Sequence, residues 1–125
     1  MKEEKFSIAK RLKSFTYAFA GLKVLFKEEH NAWIHLFATV CVLVVGILLK
    51  ISPLEWVAVV FAIGLVFGFE IINTSVENIA DFICPEWDDR IKRIKDLAAA
   101  AVLVSAITAA IVGLIVFVPK IWALL

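Results

Sequence analysis

The chain has 125 residues, 62% of them hydrophobic, and a net charge of +1 from 13 Lys+Arg against 12 Asp+Glu; its mean hydropathy is +0.94. Soluble domains carry about 45–50% apolar residues even with glycine counted, and a chain this short has too little interior to hide the excess. An ordinary soluble domain, intrinsic disorder and nucleic-acid binding by bulk charge are thereby excluded, which leaves the bilayer as the expected solvent.

Residues 1–31 are charged but patterned. The opening MKEEKFSIAKRLK lacks the short apolar core and small-residue cleavage site of a secretory signal. Leu12, Phe15, Phe19, Leu22 and Phe26 then recur at steps of three and four, with Lys10, Arg11, Lys13, Lys23 and Lys27 between them. This predicts an amphipathic helix with a basic face, lying along a membrane surface or against other protein. Ile34–Leu49 carries no Asp, Glu, Lys or Arg and is bounded by His35 and Lys50. Alone it is marginal for a hydrocarbon core of ~30 Å. Extended back through Ala32 and Trp33 it predicts a first span over 32–50, with Lys50 snorkelling to the headgroups.

Pro53 reads as a helix start, Glu55 as its polar end and Trp56 as an interfacial anchor, opening a second span over 54–80. No charge falls between Trp56 and Phe69. Glu70 then arrives while the helical pattern continues through EIINTSVENIAD to Asp81, and Cys84-Pro85 marks its end. Residues 81–96 are polar and charged, and 97–118 form a third span closed by Pro119 and Lys120. Cys41 falls in an apolar run and Cys84 in a charged loop, so both are expected to be unpaired, buried or half-buried packing thiols. The fold class is thus an all-α membrane protein of three transmembrane helices plus an N-terminal surface helix.

Seven Lys/Arg precede the first span, Lys50 alone separates the first two, four (Arg90, Lys92, Arg93, Lys95) separate the second and third, and Lys120 comes last. The positive-inside bias places the amino terminus and the 81–96 segment in the cytoplasm and the carboxyl terminus outside. Whatever chemistry the chain performs faces the cytoplasm.

Glu70, Asn73, Glu77 and Asp81 follow at spacings of 3, 4 and 4, which at 3.6 residues per turn puts them within an arc of roughly 80° on one helix face. Ile71, Ile72, Val76 and Ile79 point elsewhere. An ionisable residue at the end of an apolar run is costly and calls for a reason. Three acids on one face repel unless a proton, an Arg/Lys partner or a metal cation neutralises them. Hard oxygen ligands at a membrane edge suit Mg²⁺, which takes one or two carboxylates and completes its shell with water and phosphate. Asp81 taken alone reads equally well as the solvated end of the helix. Glu28-Glu29, closing the surface helix, offer further carboxylates near the same level. Arg90, Lys92 and Arg93 read as topology-setting charges. Lys95, at the start of the third span, can also hold a polyphosphate. Gly64 and Gly68 are a weak sign of close helix packing, and His35 reads as a lone ring packing at the interface. There is no GxxxxGK[ST] loop, kinase-like GxGxxG, Ser/His/Asp set, HxxxH or CxxC. A nucleotide site here has to be built from helices at the membrane edge.

EIINTSVENIADFICPEW, running on through DDRIKRIKDLAAAAVL, resembles the signature of the bacterial diacylglycerol kinase/undecaprenol kinase family of integral membrane lipid kinases. The family pattern is E-hydrophobic-hydrophobic-N-[ST]-[AS]-[IV]-E-x3-D, followed later by K-D and an Ala-rich A-A-V-L, and it runs ungapped from Glu70 to Leu103. YAFAGLKVLFKEEHNAW resembles the family's amino-terminal segment, so nearly the whole chain is covered. The resemblance implies a homotrimer of three-span protomers with shared active sites in the bacterial inner membrane, and transfer of the ATP γ-phosphoryl group to a lipid hydroxyl. By position it makes Glu70 the general base, and Glu29 and Glu77 the carboxylates holding the Mg²⁺ of Mg-ATP. Lys10, Tyr17, Asn73, Asp81, Glu86, Asp88, Lys95 and Asp96 join Glu29 and Glu77 around the nucleotide. Trp33 and His35 join Glu70 at the lipid substrate. Asp88 stands where members often have His, His35 replaces a common acid, and Lys10 (or Arg11 by a one-residue shift) stands where Arg is usual.

KDLAAAAVL looks more like the undecaprenol branch than the diacylglycerol branch, which more often carries Gly-Ser there. The competing classes are a small homo-oligomeric proton-coupled transporter using Glu70, and a non-enzymatic accessory subunit. The first requires a site open to both sides, against the one-sided clustering of charge. The second has no use for the carboxylate stripe.

Overall fold

The computed structural model describes residues 5–125. Residues 1–4 of the 1–31 surface segment, with Lys2 among the basic residues counted for topology, lie outside the described residues. Four helices follow in order: α1 (Ile8–Glu28), α2 (His30–Leu48), α3 (Pro53–Ile83) and α4 (Asp89–Leu124). The described residues contain no strand. The last three helices are each long and apolar enough to cross a membrane.

No loop separates α1 from α2. Glu29 alone is extended (φ −111°, ψ 107°), its N–H donating to the Leu25 carbonyl (2.8 Å) and its carboxylate accepting from the Asn31 N–H (3.3 Å). One residue therefore ends one helix and caps the next. The elbow is locked by the Trp33 indole N–H, which donates to the Phe26 carbonyl at 2.7 Å, and by edge-on packing of the two rings 5.1 Å apart. Leu25 and Ala32, on either side of it, are buried.

The α2–α3 turn is specified on both sides. Lys50 takes φ 53°, and Lys50 and Ile51 donate back to the carbonyls of Ile47 and Gly46 (both 3.2 Å), the two bonds of a Schellman motif. On the other side Ser52 and Glu55 cap each other reciprocally at 2.9 and 3.2 Å, with Pro53 at the first helical position. Gly46 is where the helices come closest: a Cβ there would lie 2.8 Å from the Trp56 ring. Trp56, expected as a headgroup anchor, lays its half-buried ring against α2 and packs on the core of Ile51, Val59, Val116 and Phe117. Gly64 and Gly68, read as a weak sign of close helix packing, have nothing among the described residues of the protomer within 4 Å of where a Cβ would stand. Cys41 and Cys84 are free, as expected, but Cys41 is exposed on the outside of α2 rather than buried.

α3 and α4 form the most extensive helix pair, antiparallel and tied at both ends. Glu55 meets Lys120 at 3.2 Å at one end, and Asp81 meets Lys95 at 2.5 Å at the other. In lipid, where apolar surface gains little by leaving one greasy medium for another, such packing and polar ties hold helices together. α3 stops at Ile83, just before Pro85, which cannot continue it. α4 starts at Asp89, capped by Asp88, whose carboxylate accepts from the Arg90 N–H (2.8 Å) and meets its guanidinium at 3.1 Å. The first two turns of α4 therefore lie within the polar 81–96 segment. At its far end α4 runs through Pro119 to Leu124 rather than closing there. Lys120, one residue beyond the proline, is the α4 partner of Glu55.

Candidate active site

The stripe on α3 comes out graded in depth. Glu70 is 1% exposed and Asn73 6%, Glu77 is half-buried, and the Asp81 side chain is 64% exposed. This gives a line of oxygens running from the protein interior to solvent. The Glu70 carbonyl accepts from the Thr74 hydroxyl (2.9 Å). Its carboxylate Oε1 bonds to Nε2 of His35, on α2, at 3.0 Å. His35 is not the lone packing ring expected of it. The pairing had a sequence signal: two solitary ionisable residues at similar depth in adjacent antiparallel spans are partners by default.

Asn73 donates through Nδ2 to Glu77 Oε1 (3.4 Å), and its Oδ1 is buried without a hydrogen-bond partner among the described residues. Such an orphaned acceptor is unusual. Glu29, at the α1–α2 elbow, lies close enough for its charge to act on Glu70, as does Glu77. Glu28 accepts from the Asn78 side-chain amide at 2.9 Å, tying the elbow to the same end of α3; Asn78 was not foreseen in this role. The structure thus brings Glu29, Glu70, Asn73 and Glu77 into one neighbourhood.

Lys95 faces the stripe, paired with Asp81 and within reach of the Glu77 charge. Asp81, Glu86, Asp88 and Lys95 share a small hollow of about 200 Å³ at the end of the α3–α4 pair. Hydrogen bonding to the Arg90 side chain, with its backbone N–H second, holds the Asp88 carboxyl down at about 2. Asp96 does not join Lys95. It pairs with Lys92 at 2.5 Å beside a separate surface depression, because consecutive helix positions point about 100° apart. Tyr17 is exposed on α1, ahead of the point where that helix meets the bundle. Lys10 sits in the first turn of α1, its N–H capped by Ser7 (3.4 Å). Trp33 is bound into the elbow.

Above the stripe a half-open cavity of about 300 Å³ lies between α2, α3 and α4. Alanines and Gly113 of α4 and the Val/Phe face of α3 line it, and His35 and Thr39 are its polar residues. It exists because the backbones of α2 and α4 hardly approach each other.

Mg²⁺ fits this donor set. Among the described residues no three His, Cys, Asp or Glu side chains converge as a preassembled cage. Two carboxylates and an orphaned amide oxygen are the hard ligands Mg²⁺ accepts.

The model for prokaryotic diacylglycerol kinases matches residues 16–117. The chain belongs to that family. It is 34% identical over 119 residues to the undecaprenol kinase of Bacillus subtilis, covering 95% of this chain and 97% of that one. It is 34% identical over 115 residues to a diacylglycerol kinase of Synechocystis, covering 91% of this chain but 66% of the relative. The Escherichia coli diacylglycerol kinase is 28% identical over 100 residues, covering 80% and 82% of the two chains. This family member is accordingly a membrane enzyme, a lipid kinase that uses ATP. Nothing in the site or the relatives favours a transporter.

Proposed function

We propose that the chain phosphorylates undecaprenol, with diacylglycerol the competing acceptor, at a site built on the Glu70–Asp81 stripe. The observation that carries this is Glu70 itself: a carboxylate 1% exposed, beside an apolar cavity, at the head of acids descending to solvent. A lipid hydroxyl arrives from the apolar side and a nucleotide from the polar side, so the two substrates meet along one helix face. Undecaprenol is preferred on the KDLAAAAVL run and on the near full-length match to a relative of that name.

Phosphoryl transfer asks mainly for positioning, charge neutralisation and a base at the acceptor. The lipid oxygen forms its bond to the γ-phosphorus, the bond from that phosphorus to the β,γ-bridging oxygen breaks, and ADP leaves with the electron pair. Glu70 takes the hydroxyl proton. Glu29 and Glu77 would hold Mg²⁺, with the orphaned Asn73 Oδ1 as a further acceptor, and the ion would supply neutralisation of phosphate charge. Lys95, already balanced between Asp81 and Glu77, orients the polyphosphate, and Asp81, Glu86 and Asp88 shape the hollow around it.

Lys10 and Tyr17 lie on the part of α1 that projects from the bundle, and we assign them to a neighbour's nucleotide in a homotrimer. No more than 28% of the most apolar stretch of any span is buried within the protomer, which leaves ample surface for such an assembly. The bias of basic residues orients the site to the cytoplasmic face of a bacterial inner membrane. Purified protein in mixed micelles, given γ-labelled ATP and equimolar undecaprenol and diacylglycerol, is expected to label undecaprenol first. Preferential labelling of diacylglycerol reverses the assignment.

A further inference from the structure

We propose that His35 is a positioning residue for Glu70, holding one carboxylate oxygen so that the other is aimed at the acceptor hydroxyl. This rests on the reading of Glu70 as base and adds a residue on a different helix to it. A carboxylate this deeply buried is costly unless hydrogen-bonded, and His35 Nε2, at 3.0 Å from Oε1, is the bond it has. Glu70 Oε2 accepts no hydrogen bond from the described residues. The two oxygens of one carboxylate are therefore inequivalent, one tethered and one available.

The tether is itself rigid. The His35 ring packs edge-on against Phe67 with centroids 6.3 Å apart. Its carbonyl accepts from the Thr39 hydroxyl (2.7 Å). It stands on the first turns of α2, whose start is fixed by the Glu29 cap and the Trp33–Phe26 bond. The ring also lines the polar end of the apolar cavity, so it stands where a lipid hydroxyl approaches the carboxylate.

With Nε2–H as donor, the bond survives the reaction. Oε1 accepts from it while Glu70 is ionised and still accepts, as a carbonyl oxygen, once Oε2 carries the proton from the lipid. No proton has to move through the imidazole. What His35 supplies is a fixed carboxylate rotamer before and after transfer, and displacing a reacting group by about 1 Å can cost on the order of 100-fold in rate.

The test compares full-length wild type, His35→Leu, His35→Gln and Glu70→Gln in mixed micelles, reading kcat and KM for Mg-ATP and for each lipid alcohol. His35→Leu keeps bulk but loses the donor, and His35→Gln restores an N–H at similar reach. Expected for His35→Leu is a kcat lowered about 30- to 100-fold with KM for Mg-ATP within twofold; His35→Gln should return to within about fivefold of wild type. Three results overturn the proposal: His35→Leu within threefold of wild type, His35→Gln as impaired as His35→Leu, or a loss in His35→Leu matched by loss of Mg-ATP affinity or of helical content. Glu70→Gln separates the layers. If it is active, the reading of the base fails and this inference with it; if it is inactive while His35→Leu is normal, the role of His35 alone fails.

Discussion

The two ends of the α3–α4 pair are built on opposite principles. At the Glu55 end the polar groups are paired: the capping box closes on itself, Glu55 meets Lys120, and Gly46 admits the Trp56 ring onto the core of Ile51, Val59, Val116 and Phe117. Toward the Asp81 end, among the described residues, a buried carboxylate holds one bond and a buried amide oxygen holds none. Apolar packing and complete polar pairing are what stability alone would select. Incomplete polar pairing at one end of otherwise continuous helices is what the proposed chemistry there would require.

Substitutions at the two ends should therefore separate activity from stability. The largest effect is expected from Glu77→Gln, which should lower lipid phosphorylation about 10²- to 10³-fold and raise the Mg²⁺ concentration needed for half-maximal rate, with unfolding unchanged. A wild-type Mg²⁺ dependence would remove Glu77 from the metal. Gly46→Ala at the other end should do the reverse. With a methyl 2.8 Å from the Trp56 ring, the helices must shift, at a cost of about 1–3 kcal/mol read as a lower unfolding midpoint, while the folded fraction keeps its kcat. An unchanged midpoint would mean the Gly46–Trp56 contact is not close.

Smaller still is the Glu55–Lys120 tie. A double-mutant cycle should give only weak coupling, as for partly exposed ion pairs. Coupling of several kcal/mol would make it a buried pair instead. The smallest effect belongs to Asp88. Its carboxyl, held near 2 against an ordinary 3.8, is depressed by folding, so its support of the α4 start is complete above about pH 4 and lost as pH falls through 2. Its carboxyl resonance should titrate near 2, and a midpoint near 4 would dissolve the Asp88–Arg90 cap.

What was legible in the sequence follows the same division. Glu70 stood out because charge in an apolar run is anomalous in any context, and the 3-4-4 spacing placed Asn73, Glu77 and Asp81 beside it without tertiary knowledge. The spans were legible from run length alone. The Glu29 elbow was not, because no Gly or Pro announces it and its cap depends on one extended residue. Nor was the Gly46–Trp56 contact, which exists only once α2 and α3 fold against each other, whereas the Gly64/Gly68 pair matched a pattern with nothing opposite it among the described residues of the protomer. Pro119 has the look of a terminator, yet α4 continues through it to Leu124. That Lys95 and Asp96 face different ways was derivable from helical geometry, since neighbours in sequence do not share a face.

The central claim is that the Asp81 end of the bundle exists to bring a lipid hydroxyl to Glu70. Its most direct test is single-turnover transfer of labelled γ-phosphate to undecaprenol by Glu70→Gln, beside Glu55→Gln as a matched loss of charge at the opposite end of the same helix. The account predicts transfer abolished in the first, with Mg-ATP still bound, and retained in the second. Transfer by Glu70→Gln at a rate near wild type would contradict it.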